Sequence, residues 1–319
     1  MFTSSSANPK SIEMIHPPHP QAVPTQLKDI KKKLPLRVLS EADWKHWTTY
    51  GYVIVPNAVP QDQLKRLVDL LWEFSEMDPN DPETWYQTEW RDHSKKLPHT
   101  NGMLEIYNHQ YLWDKRQTPR VYDAFVDIWD REDLWVSIDR VNMNPPSKGI
   151  HSSNGFIHWD ADTSLNPLPI EVQGVLSLAR QDEEVGGFQC VPELFRTLEE
   201  WIKTQPADRN PGVPDTTGFE VVTVNLNPGD LLIFNSLLPH GIRPNRSKNR
   251  MRMAQYIAMN PAKETDEAEL AFRLNAWRNF QIPQHGDFPG DPREWEKKNA
   301  QVAKLTPLGE RLLGLKSWK

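Results

Sequence analysis

The chain contains 319 residues, and its 37 Lys and Arg against 43 Asp and Glu residues produce a formal net charge of -6. This mildly acidic balance argues against a general binder of nucleic acids or of anionic membranes. The single cysteine excludes an internal disulfide framework and a multi-cysteine zinc site, and no apolar run approaches the roughly 18 residues that span a membrane.

Residues 1–35 are rich in Ser and Pro, show no periodicity, and include a basic run at residues 31–33 that we interpret as solvated. This composition is typical of a flexible N-terminal arm. The segment has neither the pattern of a secretory signal nor the Arg-rich pattern of a transit peptide. We therefore expect a cytoplasmic protein.

The ordered part begins with two helices and a strand. Ser40 followed by Asp43 predicts a capping box for a short helix, and we expect its Trp44 and Trp47 in the core. Residues 51–56 predict a strand that ends at a proline. The next helix has one predominantly apolar face, formed by Leu64, Leu67, Val68, Leu71, Trp72 and Ser75.

The middle of the chain changes from helices to strands. Residues 78–109 lose periodicity and are rich in Trp, His and Pro, so we expect them to fold over another part of the protein. Helical periodicity returns at residues 119–129. Further on, alternation and apolar runs predict strands at residues 134–144, 155–160, 172–178, 219–225, 230–235 and 250–259. Short strands without intervening helices predict a mainly β protein with flanking helices, an antiparallel barrel or sandwich.

Three residues in this region have side chains that are typical ligands of a metal ion. His158 and Asp160 are spaced i, i+2, which on a strand directs both side chains to one face. A second triplet of this form begins at His285, but it lies in a Gly-Pro loop that does not orient it. His240 follows an apolar strand and is the candidate third ligand of a facial triad of two His and one carboxylate. Arg252 lies in an apolar strand, where an arginine needs an acidic partner or ligand.

The order of these motifs resembles the phytanoyl-CoA dioxygenase family of Fe(II)- and 2-oxoglutarate-dependent oxygenases. The shared pattern is H-x-D, GGFxxVP at residues 186–192, NPGDLLIF at 227–234, a lone His, and an Arg. The resemblance implies a double-stranded β-helix, a jelly-roll or cupin-like barrel. It also implies a single oxygenase domain at residues 36–319, with its β core at about 134–260 between a helical N-terminal flank and a C-terminal extension.

The resemblance also implies the role of each residue. His158, Asp160 and His240 look like the ligands of Fe(II), and Arg252 looks like the cation that anchors the distal carboxylate of 2-oxoglutarate. Asn142 looks like a further contact to this co-substrate. Arg250, on the same strand face, is the alternative to Arg252.

With Fe(II), 2-oxoglutarate and O2 as cofactor and co-substrates, the resemblance implies a dioxygenase. Such an enzyme hydroxylates or otherwise oxidises a small organic metabolite and converts 2-oxoglutarate to succinate and CO2. Its partner would be the small-molecule substrate, and we expect neither a nucleic acid nor a membrane partner. Two alternatives stay open. A cupin-like metal-dependent enzyme would keep the triad without using 2-oxoglutarate, and a non-catalytic barrel would bind a ligand without turnover. The pattern identifies no substrate, although the family name suggests an acyl-CoA.

Overall fold

The structure, a computed structural model, describes residues 30–86, 102–147, 155–283, 288 and 290–319. Most of the predicted arm, residues 87–101 of the aromatic segment and the triplet at His285 lie outside these residues. Within the described ranges the chain forms α1 (Glu41–Tyr50), α2 (Gln61–Ser75), α3 (Gln110–Arg116), α4 (Pro119–Trp129), α5 (Pro192–Arg196), α6 (Leu198–Thr204), α7 (Glu267–Asn279), α8 (Trp295–Asn299) and α9 (Pro307–Leu313).

The strands alternate irregularly with these helices. They are β1 (Tyr52–Val55), β2 (Met103–Leu104), β3 (Leu134–Val136), β4 (Val141–Asn144), β5 (Val172–Ser177), β6 (Gly187–Cys190), β7 (Val222–Thr223), β8 (Leu231–Asn235), β9 (His240–Arg243), β10 (Arg252–Tyr256) and β11 (Met259–Pro261). More of the described residues lie in helices than in strands, so the prediction of a mainly β protein is wrong. The fold combines helices with antiparallel sheets.

The strands form three antiparallel sheets. One has six strands in the order β1-β8-β5-β10-β4-β2, one pairs β11 with β3, and one has the order β7-β6-β9. In the part of the chain that the structure describes, no ladder closes these sheets into a barrel. The antiparallel pairing is therefore confirmed, whereas a closed barrel is not seen.

Two predicted strands each divide at a shared corner. Residues 134–144 form β3 and β4, and residues 250–259 form β10 and the start of β11. At the break, the backbone N–H of Ser137 donates to the carbonyl of Ala258 at 2.8 Å, and the N–H of Ala258 donates to the Ser137 hydroxyl at 3.0 Å. Both segments therefore leave the six-stranded sheet together and pair again as the two-stranded sheet. Alternation along the chain does not reveal such a change of partner.

The other expected strands also differ from the prediction. Residues 219–225 contain only the two-residue β7, and residues 155–160 contain a single bridge at His158 instead of a strand. The predicted helices at residues 61–75 and 119–129 are confirmed as α2 and α4. Helix patterns extend over more residues than strand patterns, so they survive the choice of tertiary partners better.

The capping box of α1 is confirmed. The hydroxyl of Ser40 accepts from the N–H of Asp43 at 3.1 Å, and the Asp43 carboxylate accepts from the N–H of Ser40 at 2.9 Å. Trp47 on this helix is 1% exposed, as expected for a core residue, while Trp44 is half-buried.

Replacing Ser40 by Ala should lower the free energy of unfolding by about 1 kcal/mol, because the N–H of Asp43 loses its acceptor. Urea titration followed by circular dichroism measures this loss. Ser40→Thr keeps an acceptor oxygen and should retain stability near that of the wild type. Equal loss in both variants would contradict the capping role.

The residues that precede α1 are attached to α4. The buried carboxylate of Asp127 accepts from the backbone N–H groups of residues 37–39, and Asp130 accepts from those of residues 33 and 34. The Lys32 ammonium donates to the carbonyl of Asp127 at 2.6 Å and lies 4.6 Å from the centre of the Trp44 ring. Lys32 is thus paired, contrary to the expectation that it is solvated.

The six-stranded sheet has two different faces. Helices α2, α3 and α4 cover one of them: Ser75 of α2 donates to Met143 of β4, and Gln255 of β10 donates to the carbonyl of Leu112 in α3. The opposite face, which we call the inner face, carries polar side chains. On the three central strands it is formed by Gln173, Val175, Ser177, Arg252, Ala254, Tyr256, Asn142 and Asn144.

No helix in the described residues combines the length and the apolar character that crossing a bilayer requires.

Candidate active site

His158, Asp160 and His240 come together in front of the inner face. Their potential ligand atoms all lie within 4.8 Å of one another. The Nε2 atom of His158 is 3.3 Å from Oδ1 of Asp160, and the Nε2 atom of His240 is 3.2 Å from Oδ2. The three side chains are between 7% and 20% exposed, so the cluster is protected from solvent without being sealed. Two imidazoles and one carboxylate are the donor set of the facial triad that binds Fe(II).

A single backbone bridge holds the two halves of this cluster. The N–H of His158 donates to the carbonyl of His240 at 2.8 Å, and the N–H of His240 donates back at 3.0 Å. Trp159 points away from the cluster, is 2% exposed, and donates its indole N–H to the carbonyl of Leu237 at 2.9 Å. The expected i, i+2 geometry of His158 and Asp160 is therefore present although no regular strand surrounds it.

Gly241 makes this bridge possible. A Cβ atom at this position would lie 1.8 Å from the carbonyl oxygen of Phe156, two residues before His158. Only a residue without a side chain lets the two segments approach so closely. The close approach of these two segments thus explains why a glycine follows His240, which the sequence alone does not reveal.

Gly241→Ala should lower the free energy of unfolding by about 1–3 kcal/mol, because the added methyl group must push the backbone of Phe156 away. Since that shift also moves His158, metal affinity should fall in the same variant. Calorimetry and a Co(II) titration measure the two effects. Gly212→Ala is the matched control, because its Cβ would meet no atom closer than 3.6 Å. Equal behaviour of both variants would contradict the close-approach argument.

Contacts to its neighbours fix the orientation of His240. Its Nδ1 lies 2.9 Å from the carbonyl oxygen of Leu238, which can only accept, so the ring proton is on Nδ1. The lone pair of Nε2 then points at the cluster and is available to a metal ion. Phe188 stacks on the ring at 5.5 Å between centroids and Phe234 lies at 4.5 Å, which leaves the imidazole little freedom.

Gln173 of β5 supports the carboxylate of Asp160. Its side-chain amide donates to Oδ2 of Asp160 at 2.7 Å. Burial raises the pKa of Asp160, but the close contacts with the His158 and His240 imidazoles outweigh it and hold the pKa well below its usual range. The carboxylate is therefore ionised. Sequence reasoning missed Gln173, although a lone amide in the apolar strand VQGVLS was a usable signal.

Arg252 and Asn142 also meet, on the inner face. The Nη1 atom of Arg252 donates to Oδ1 of Asn142, and its Nε lies 3.3 Å from Oε1 of Gln181. Arg252 is 1% exposed, forms no ion pair with a described carboxylate, and its Nη2 makes no hydrogen bond to the described residues. A buried guanidinium in this state has a donor available for an anionic ligand.

Arg250, the alternative cation, is engaged elsewhere. It donates to both oxygens of Asp182 at 2.7 and 3.0 Å and to Glu184 at 2.8 Å. The hydrogen bonds from Arg250 hold the pKa of Asp182 well below its usual range. Since its side chain is 37% exposed, this is a surface ion-pair network and not an anion receptor.

The strand register connects Arg252 with the metal-type cluster. Ala254 of β10 lies opposite Asn142 on one side and Ser177 of β5 on the other. Because side chains alternate along a strand, Arg252 and Gln173 both project from the inner face. Gln173 touches Asp160, so the buried cation and the cluster face the same space.

The model of the phytanoyl-CoA dioxygenase family matches residues 47–254. A Dictyostelium discoideum protein named "Putative phytanoyl-CoA dioxygenase" is 24% identical, with 73% of this chain and 78% of that protein covered. Ava biosynthesis cluster protein O of Aspergillus versicolor is 23% identical, with 75% and 83% covered.

Solved structures share the fold. A hypothetical protein of Escherichia coli, JW0805, superposes with a TM-score of 0.63 at 15% identity, covering 86% of this chain and 81% of that chain. The product of GlcNAc Inducible Gene 2 of Candida albicans superposes with a TM-score of 0.61 at 12% identity, covering 86% and 76%. At such identities the likeness concerns the fold alone.

Proposed function

The chain belongs to the phytanoyl-CoA dioxygenase family, and from this premise we propose that it is an Fe(II)- and 2-oxoglutarate-dependent dioxygenase that oxidises a small organic metabolite. Enzymes of this family use Fe(II), 2-oxoglutarate and O2. The observation that carries the proposal is the His158, Asp160 and His240 cluster, which faces the same space as the buried cation Arg252.

The donor set fits the metal. His158, Asp160 and His240 offer two neutral nitrogen ligands and one anionic oxygen ligand, and a facial arrangement of three leaves further positions open. When bound, Fe(II) with its co-substrates supplies the oxidising chemistry, in which 2-oxoglutarate becomes succinate and CO2. The protein itself has to supply orientation and a space with little water.

Each neighbouring residue has a task in this proposal. Gln173 holds the Asp160 carboxylate in place, and the carbonyl of Leu238 keeps the proton of His240 on Nδ1. Arg252 would bind the distal carboxylate of 2-oxoglutarate through the donors that its protein neighbours leave available. Asn142 accepts from the same guanidinium and so orients it.

The same premise supports a proposal for the architecture. The six-stranded sheet and the β7-β6-β9 sheet would be the two halves of a double-stranded β-helix, with the metal-type cluster between them. Phe234 of the large sheet contacts both Phe188 and His240 of the small sheet, at 4.9 and 4.5 Å between ring centroids. We propose that residues 36–319 form a single domain, with its β core at about 134–260.

The two alternatives require different residues at the site. A cupin-like enzyme that does not use 2-oxoglutarate needs no buried cation beside the metal. A non-catalytic barrel needs no intact set of three ligands. The burial of Arg252 without an acidic partner in the described part of the chain therefore favours the proposed reaction over the first alternative. The complete set of His158, Asp160 and His240 favours it over the second.

Anaerobic titration of the Fe(II)-loaded protein with 2-oxoglutarate tests the proposal. We expect a weak visible charge-transfer band that saturates, and slow release of labelled CO2 from 2-oxoglutarate once air is admitted. Zn(II)-loaded protein is the control and should show neither signal. If the Fe(II) protein shows no band at saturating co-substrate and releases no CO2, it does not use 2-oxoglutarate.

A further inference from the structure

The inner face extends beyond the residues that the proposed reaction uses. Gln173 and Tyr256 lie on strands that have hydrogen-bonded neighbours on both sides, yet both side chains are only half-buried. On the opposite face, Leu176, Met253 and Gln255 are at most 2% exposed. The inner face therefore borders a space that solvent can enter.

Arg140 lies at one end of this face. The N–H of Tyr256 donates to the carbonyl of Arg140 at 3.2 Å, which extends the β4–β10 ladder by one pair. Asn142 and Arg140 are two positions apart, so both project from the inner face. Arg252 lies opposite Asn144, so the backbones of the two arginines are about 13 Å apart along the strands. The two arginines therefore occupy different positions on the inner face.

The guanidinium of Arg140 is buried and only weakly paired. The residue is 4% exposed, and its Nε makes no hydrogen bond to the described residues. The nearest acidic oxygen, Oδ1 of Asp139, is 3.7 Å from Nε, which is too far for a hydrogen bond. The ring of Phe288 covers one side of the guanidinium plane at 3.6 Å, so this contact does not occupy the in-plane N–H donors.

Tyr107 adds a second donor beside Arg140. Its hydroxyl is 0% exposed and lies beside the Arg140 guanidinium, from which it can accept while its own proton stays available. Burial raises the pKa of Tyr107, and the neighbouring positive charge of Arg140 opposes that rise. The hydroxyl is therefore protonated at neutral pH and can donate. The backbone N–H of Tyr107 donates to the buried carboxylate of Glu296 at 3.0 Å, which fixes this segment in position.

We infer that Arg140 and Tyr107 form an anion-binding subsite for the substrate, which is therefore a small molecule with a carboxylate group. A planar guanidinium with free in-plane donors matches the two oxygens of a carboxylate better than a point charge does. The half-buried Asp139 carboxylate, 3.7 Å from Nε, offsets part of the arginine charge without forming a hydrogen bond. This inference rests on the proposed function only in calling the bound anion a substrate.

Binding measured without turnover tests the inference. The probes are matched pairs of an acid and its primary amide, 3-phenylpropanoate with 3-phenylpropanamide and octanoate with octanamide, together with inorganic phosphate. Isothermal titration calorimetry of the anaerobic Fe(II) protein, with and without 2-oxoglutarate, gives the affinities. We expect at least one acid to bind about tenfold more tightly than its amide, the magnitude of one charge-assisted hydrogen bond.

Variants assign this preference to the subsite. Arg140→Met should abolish the preference for the acid, and Tyr107→Phe should reduce it about threefold while removing a single oxygen atom from the fold. Both should bind 2-oxoglutarate as the wild type does. Arg250→Met, which removes a surface arginine, is the control and should leave the preference intact.

The inference is overturned by equal affinity for acids and amides, by an unchanged preference in Arg140→Met, or by a preference for phosphate over both acids. Weaker binding of 2-oxoglutarate to Arg140→Met would also overturn it, because Arg140 would then serve the co-substrate. Failure of the wild type to bind 2-oxoglutarate would instead contradict the proposed function and leave the comparison of acid and amide meaningful.

Discussion

Asp160→Ala is expected to abolish the 2-oxoglutarate-dependent formation of succinate. The carboxylate of Asp160 lies within 3.3 Å of the Nε2 atoms of both His158 and His240, so its removal leaves two imidazoles with no anionic ligand between them. Loss of a residue that only supports a metal ligand costs about 10- to 100-fold. Loss of the ligand itself should therefore exceed about a hundredfold in activity.

Metal content and succinate release measure this effect together. We expect the Asp160→Ala protein to retain little iron after gel filtration and to form no succinate above background. Asp162→Ala is the matched control, because Asp162 lies two residues away and hydrogen-bonds to Ser164 at the surface instead of the cluster. An Asp160→Ala protein with wild-type iron content and succinate release would disprove the assignment of this ligand.

Arg252→Met should raise the concentration of 2-oxoglutarate needed for half-maximal decarboxylation by about a hundredfold, with less change in the maximal rate. The reason is that the distal carboxylate of 2-oxoglutarate loses the buried guanidinium that binds it. Steady-state kinetics with varied 2-oxoglutarate separate KM from kcat. Iron content should stay unchanged, because Arg252 does not belong to the metal-type cluster.

Two further variants make this result specific. Arg250→Met removes only ion pairs to Asp182 and Glu184, so its KM for 2-oxoglutarate should stay within about twofold of the wild type. Arg252→Lys keeps the charge but loses the planar fork, and its KM should fall between those of the wild type and Arg252→Met. Unaltered kinetics of Arg252→Met would favour the cupin-like enzyme that does not use 2-oxoglutarate.

Local patterns predicted the parts of this protein that depend on near neighbours in the chain. The capping box at Ser40, the apolar face of α2 and the helix at residues 119–129 all depend on contacts within a few residues. The likeness to the oxygenase family was also visible in the order of the motifs. In both cases the information lies in spacing, which is fully contained in the sequence.

Other predictions failed because they depend on which strands become partners. The mainly β prediction overestimated the strands at residues 134–144, 155–160 and 219–225, where alternating residues form corners, a single bridge and a short ladder. An alternating pattern indicates that a segment has two different faces. It does not indicate over how many residues the segment is paired, since that depends on the partner strand.

The sequence alone determined which chemical groups this protein possesses and in what order, including the three candidate ligands and both candidate arginines. Only the tertiary structure distinguishes the surroundings of Arg250 from those of Arg252, which alternation places on the same side of one strand. Burial and pairing separate them: one donates to acids at the surface, and the other is buried beside Asn142. Likewise, Gln173, Tyr107 and Arg140 became site residues only when distant segments met. Desolvation and hydrogen bonding depend on neighbours in space, which local spacing does not specify.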